Sequence, residues 1–157
     1  MATKRRAYDD PRLTPPATSL SAGVVVVRDT TDGWRVLLLR AYNYWDCPKG
    51  VVEPGEDALT TAKREVREET GIEDLDFRWG EDFTDTPPYS KNKVARCYLA
   101  ATGTAAVKLP VSEELGRPEH HEFRWLAFDA AIALAVPRIR AVLEWARARI
   151  GASGAVV

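Results

Sequence analysis

Three glutamates, Glu65, Glu68 and Glu69, stand three and four residues apart in the stretch "DALTTAKREVREETG". At that spacing they are neighbours on one side of a helix, where each like-charge pair costs about 0.2–0.5 kcal/mol. The stretch still reads as a helix, starting near Asp57 and stopping before Gly71. Asp57 suits the N-cap and glycine suits the C-terminal end. At about 100° per residue, Leu59, Ala62 and Val66 fall together on an apolar stripe. The three glutamates form an acidic ridge away from that stripe, and Arg64 and Arg67 lie off the ridge. Any fold for this chain must bury the stripe and place something positive beside the ridge.

The flanking segments supply a sheet for the stripe. "SAGVVVVRD" is a β-branched run with the length of a buried strand. Asp32-Gly33 marks a hairpin into a second strand, Trp34–Ala41. "YNYWDCPKG" reads as a loop, and Glu53-Pro54-Gly55-Glu56 as the turn into the helix. Further strands are expected over Leu75–Gly80 and Lys93–Ala101, separated by the double-proline loop "FTDTPPYSKN", and over "HEFRWLAF", with Trp125 in the core. A last helix, Pro137–Ile150, carries Ile139, Val142, Leu143, Ala146 and Ile150 on one stripe, with Pro137 in its first turn. Strands interspersed with two helices predict an α+β sandwich, a sheet covered by helices.

Residues 1–18 are rich in charge, Pro and Thr and read as a flexible N-terminal segment, followed by a domain over 19–151 and a loose tail over 152–157. Lys4, Arg5 and Arg6 precede no apolar stretch, so no secretory signal is expected. The longest apolar run, Ala22–Val27, is far shorter than the ~20 residues that span a bilayer. A net charge of −1 argues against a partner as long and anionic as nucleic acid. Cys47 and Cys97 have neither zinc-site nor disulfide-framework spacing and suit free thiols in a reducing, cytoplasmic setting.

Clustered carboxylates are hard oxygen ligands suited to Mg²⁺ or Mn²⁺, which bridge to substrate phosphates. A divalent cation would turn the repulsion on the ridge into attraction. Gly50, five residues, Glu56, seven residues, then Arg64-Glu65-Val66-x-Glu68-Glu69-x-Gly71-Ile72 resembles a complete Nudix box. With each fixed residue type used at about 7% or less, a chance match is on the order of one in a million. The resemblance implies a Nudix-type α/β/α sandwich, a mixed sheet flanked by helices. It implies Mg²⁺, or alternatively Mn²⁺, on Glu65, Glu68 and Glu69 with help from the backbone carbonyl beside Gly50. Arg64 would orient a neighbouring glutamate. Glu56 would pair with Arg64 or help position water. Gly55 and Gly71 would be structural.

Such a site would hydrolyse a phosphoanhydride by in-line attack of metal-activated water, a glutamate taking the proton. Glu56 and Glu119 are the candidate bases, and Glu68 is counted with the catalytic and the metal-binding groups alike. Four fragments, "WDCPKGVVEPGED", "SAGVVVV", "YSKNKVARCYLA" and "EHHEFRWL", resemble the diadenosine-tetraphosphate hydrolase branch. That branch implies Lys49, Lys91 and Lys93 on the outer phosphates, Tyr89 stacked on adenine and His120 at phosphate. Lys91 and Lys93 as plain surface cations, and Tyr89 as a packed loop aromatic, are the competing readings. "LPVSEELGRPEHH" departs from the branch pattern by a longer acidic stretch, in which Glu113 or Glu114 competes with Glu119. Hydrolysis of simple nucleoside triphosphates, releasing pyrophosphate, is the nearest alternative activity. Decapping of 5′-triphosphate RNA is disfavoured by the absence of a broad basic surface. A non-catalytic nucleotide sensor is a third class, and the intact set of box glutamates argues against it.

Overall fold

The computed structural model describes residues 19–157; the expected N-terminal lead-in, with Lys4, Arg5 and Arg6, lies outside them. The valine run forms the centre of the sheet. Strand β1 (Ser19–Thr30) pairs in parallel with β6 (Lys93–Ala101) from Ser19↔Lys93 to Val27↔Ala101. On its other side, β1 is antiparallel first to β4 (Lys49–Val51) and then to β2 (Gly33–Ala41). Strand β3 (Tyr44–Asp46) and β9 (Glu122–Leu126) flank β2, and β5 (Phe83–Asp85) closes the edge beside β6, making a seven-stranded mixed sheet. A small separate hairpin joins β7 (Val111–Ser112) and β8 (Arg117–Pro118).

Both faces of this sheet are covered, which is why β1 is apolar at consecutive positions rather than alternating. Ala22, Val24 and Val26 pack with Ala62 and Val66 of helix α1 (Ala58–Thr70). Val25 and Val27 face the other way, toward α2 (Phe128–Leu134) and α3 (Pro137–Ala152). All five residues of the predicted α3 stripe are buried, and Pro137 occupies the first turn. Trp125 is only partly buried, on the α1 side; its indole N–H donates to the carbonyl of Ala105.

Helix α1 has its expected ends. The Asp57 side chain accepts the Thr60 N–H, and Gly71 closes the helix at φ +76°, its N–H donating to the Arg67 carbonyl. The hairpin between β1 and β2 falls where Asp32-Gly33 predicted, with Gly33 at φ +100°.

Three expectations are corrected. Leu75–Gly80 is not a strand and makes one bridge, Asp76↔Ala101. Just ahead of it, the Asp74 side chain takes the Thr102 and Thr104 hydroxyls and the Gly103 N–H, a local network that replaces a ladder. The loop "YNYWDCPKG" contains β3 and β4, each three residues and too short to show alternation. Among the described residues three helices, not two, flank the sheet; α2 has seven residues and no side-chain cap, so it gave no sequence signature.

Edge strand β5 is held by Arg96, whose side chain is fully buried. Its Nε and Nη2 donate to the two Asp85 carboxylate oxygens at 2.9 and 3.0 Å, and its guanidinium lies over the Phe83 ring. The two cysteines are buried and unbonded to each other. Burial pushes the Cys97 thiol up to about 12.

The approach of β4 to β1 depends on Gly23, which faces Lys49. A Cβ there would sit 2.3 Å from the Pro48 carbonyl oxygen and 2.5 Å from the Lys49 Cβ, where backbone has little room to move. Replacing Gly23 with Ala is therefore expected to cost about 1–3 kcal/mol in urea unfolding. An unchanged midpoint would contradict this close approach.

Candidate active site

Lys49 and Gly50 are consecutive on β4, so their side-chain directions are opposite. Gly50, paired with Ala22, faces α1. A Cβ on it would lie 2.0 Å from the Glu65 carboxyl carbon; the carboxylate occupies the volume a side chain would fill. One residue earlier, the Lys49 N–H donates to Glu69 Oε2 at 3.1 Å. The strand thus presents its backbone to two box glutamates of α1 at once.

Glu69 is buried, and burial first, then the charges of Glu119 and Glu65, drive its carboxyl well above the usual range. Burial likewise raises Glu65. Glu119 and His120 come in from the segment before β9. Ligand atoms of Glu69, Glu119 and His120 lie within 4.8 Å of one another, with His120 Nε2 3.6 Å from Glu69 Oε1. Burial, then the Lys49 charge, depress His120 to about 4, so its imidazole is neutral near pH 7.

These groups open on a cavity of about 560 Å³ lined by Glu65, Glu68, Glu69, Glu119 and His120, with Leu109–Glu114 forming its far wall. Hard oxygen donors, a glycine kept bare for a carboxylate and a buried carboxyl lacking a cation partner of its own suit a divalent cation. Glu65, Glu69, Glu119 and His120, with Glu68 at the rim, are the residues that could hold one.

Arg64 departs from its place on the helical wheel. Its guanidinium swings across the ridge, donating to Glu65 Oε1 at 2.9 Å and Glu68 Oε2 at 3.1 Å. Its Nε and Nη2 take both oxygens of Glu56, each at 2.9 Å. Part of the repulsion on the ridge is thus relieved by the chain itself. The Arg64 fork, assisted by the Thr61 hydroxyl and the Glu53 N–H, lowers Glu56 to about 2. Glu56 does not line the cavity.

On the other face of β4, the Lys49 side chain pairs with the buried Asp46, which also accepts from the Cys47 N–H and from Arg138 Nη2 at 2.7 Å. The Arg138 guanidinium lies 4.3 Å from the Tyr89 ring centroid. Lys91 is exposed on the turn beyond Tyr89, where Ser90, Lys91 and Asn92 all have positive φ, and Lys93 is exposed at the start of β6; neither lines the cavity. Sequence reasoning missed Asp46, Arg138 and the stretch of cavity wall from Leu109 to Ser112. An acid inside "WDCPKG" was a visible oddity, whereas the partners Asp46 and Arg138 are 92 residues apart.

Because Glu56 titrates lower in the folded chain than its ordinary 4.5, its contribution to stability is complete above that value. It is lost as pH falls from about 4.5 toward about 2. Glu56→Gln should therefore lower stability at pH 7 and flatten the loss of stability across that acid window, as read by urea titrations at several pH values.

Residues 17–146 match the NUDIX domain. The chain is 39% identical over 105 residues to the asymmetrical bis(5′-nucleosyl)-tetraphosphatase of Mus musculus, covering 63% of this chain and 68% of that one. It is 38% identical over 115 residues to the enzyme of the same name from Sus scrofa, covering 69% and 75%. Among solved structures, a binary complex of C. elegans Ap4A hydrolase superposes with a TM-score of 0.70 at 27% identity, covering 84% of this chain and 98% of that one. With the box glutamates gathered on α1 against β4 and the domain matched over most of its length, the chain belongs to the Nudix family.

Proposed function

We propose that this protein hydrolyses diadenosine tetraphosphate, or a closely related dinucleoside polyphosphate, to ATP and AMP with Mg²⁺ as cofactor and Mn²⁺ as a substitute. The observation that carries the reading is the two-sided Lys49–Gly50 strand, with carboxylates for divalent cations on one face and cations for phosphate on the other. The names of the relatives point to the same substrate class.

Divalent cations, when bound, lower the pKa of water and neutralise charge on phosphate oxygens. The chain's own residues do the rest. Glu69 is held by the Lys49 N–H, Glu65 lies in the space left by Gly50 and accepts from Arg64, and Glu68 is steered by Arg64. A water oxygen bonds to phosphorus, the bridging P–O bond breaks, and the departing phosphate keeps the electron pair. A carboxylate accepts the water's proton.

Glu119 suits that task better than Glu56. It is exposed at the cavity, whereas Glu56 has both oxygens committed to Arg64. We read Glu56 as the residue that positions Arg64. His120, neutral and beside Glu69, serves as a donor or ligand rather than as a phosphate-binding cation. Lys49 takes phosphate, Tyr89 offers a ring to the base, and Lys91 and Lys93 face outer phosphates from the neighbouring turn. No helix among the described residues is long and apolar enough to cross a membrane. A small nucleotide in the cytoplasm is the proposed partner.

Incubation with a panel of nucleotides and Mg²⁺, followed by chromatography, is expected to show ATP plus AMP from diadenosine tetraphosphate, abolished by EDTA. Pyrophosphate from simple nucleoside triphosphates would replace this reading, and tight binding with no turnover would indicate a sensor. Outer-shell changes alone cost about 10–100-fold in metal sites, so Glu69→Gln should cost at least that in turnover.

Mg²⁺ should also raise the thermal midpoint of the wild type, a stabilisation of about 2.7 kcal/mol at a hundred times its Kd. That rise should vanish in Glu69→Gln. An equal rise in both proteins would remove Glu69 from the metal site.

A further inference from the structure

The cluster behind β4 holds more positive charge than its own chain neutralises. Asp46 is one carboxylate, only 7% exposed, and it faces two cations, Lys49 Nζ and Arg138 Nη2. Both cations bond the same oxygen, Oδ2, and Oδ1 accepts the Cys47 N–H. Once the glutamates across the strand are satisfied by divalent cations, the triad keeps one uncompensated positive charge on two half-buried side chains. Such a charge is costly unless an anion joins it. Arg138 shows a second deficit: its Nε is shielded from solvent and has no hydrogen-bond partner, although buried donors are nearly always satisfied.

Location gives this surplus a use. Arg138 reaches from the first turn of α3 over the Tyr89 ring, and Lys49 is the residue whose N–H binds Glu69. Neither cation lines the carboxylate cavity, but the Lys49 backbone ties this cluster to Glu69 inside it. An arginine at this place presents a planar fork that matches phosphate oxygens while its face stays on an aromatic ring.

We propose that Arg138 binds a phosphate of the nucleotide beside Lys49, and that Asp46 is the internal counterion which this phosphate displaces. The inference rests on the reading of the site as one for nucleotide polyphosphates and adds two residues to it. Asp46 holds both cations in place while the site is empty. It also sets a threshold, since only a ligand with enough negative charge outcompetes it. A purely structural clamp between α3 and the β3–β4 segment would use the same contacts, and the two accounts differ in the sign of one substitution.

The test is binding of α,β-methylene ATP in Mg²⁺ by calorimetry. The compound carries carbon in place of its first bridging oxygen, so neither dinucleotide hydrolysis nor pyrophosphate release consumes it. Arg138→Ala should weaken binding about tenfold, the scale of a charge-assisted hydrogen bond, and Arg138→Lys should recover part of that loss. Asp46→Asn, which keeps size and removes the competing charge, should tighten binding severalfold. Binding to the Arg138→Ala protein should also depend less steeply on salt than binding to the wild type. Equal weakening in Asp46→Asn and Arg138→Ala would overturn the proposal in favour of a clamp, as would unchanged affinity in Arg138→Ala.

Should Asp46→Asn fail to fold, the salt dependence and the lysine rescue at position 138 still decide. Failure of the wild type to split diadenosine tetraphosphate would remove the proposed reaction while leaving these binding results to be read on their own.

Discussion

The hydrogen bond from the Lys49 N–H to Glu69 is the joint on which the site turns. It joins a three-residue strand to the end of a thirteen-residue helix, and the carboxylate it holds is otherwise buried among like charges. The strand can make this bond because Gly23 lets Pro48 and Lys49 lie directly against β1, where the Val24 N–H takes the Pro48 carbonyl. Position, charge and chemistry are therefore linked through backbone rather than through long side chains. A site built this way has its carboxylates positioned by backbone groups before any ligand arrives, which is electrostatic preorganisation.

The same segment separates charge in a chain whose net charge is only −1. Negative charge is gathered on the α1 side of β4 and positive charge on the α3 side. The field across the strand is local and has no counterpart in the overall composition.

Much of this was legible in the sequence wherever the determinants are local. The cap at Asp57, the stop at Gly71, the α3 stripe and the box spacing all follow from residues within a few turns of each other. What escaped notice depends on distant partners. Arg138 gains meaning only when α3 packs beside β3, and Arg64 leaves its helical-wheel direction because Glu56, eight residues earlier, captures it. Leu75 and Phe77 alternate like a strand, yet pack against the α1 layer while the neighbouring Asp74 satisfies the end of β6 with its side chain. The acidic stretch before Glu119 gave too many carboxylates to choose among. In the fold Glu119 lies beside Glu69, and Glu113 and Glu114 line the same cavity.

The two unbonded cysteines have a practical consequence. Cys97 lies in the middle of the parallel β1–β6 pairing and Cys47 beside the β4 segment, both shut off from water, with burial holding each thiol protonated. Alkylating reagents attack the thiolate, so neither sulfur reacts while the native layers stay together. Each is a built-in clock for a separate opening event: Cys47 for release of the site segment, Cys97 for rupture of the central sheet. The spread between their labelling times would measure how much more firmly the scaffold holds than the loop it carries.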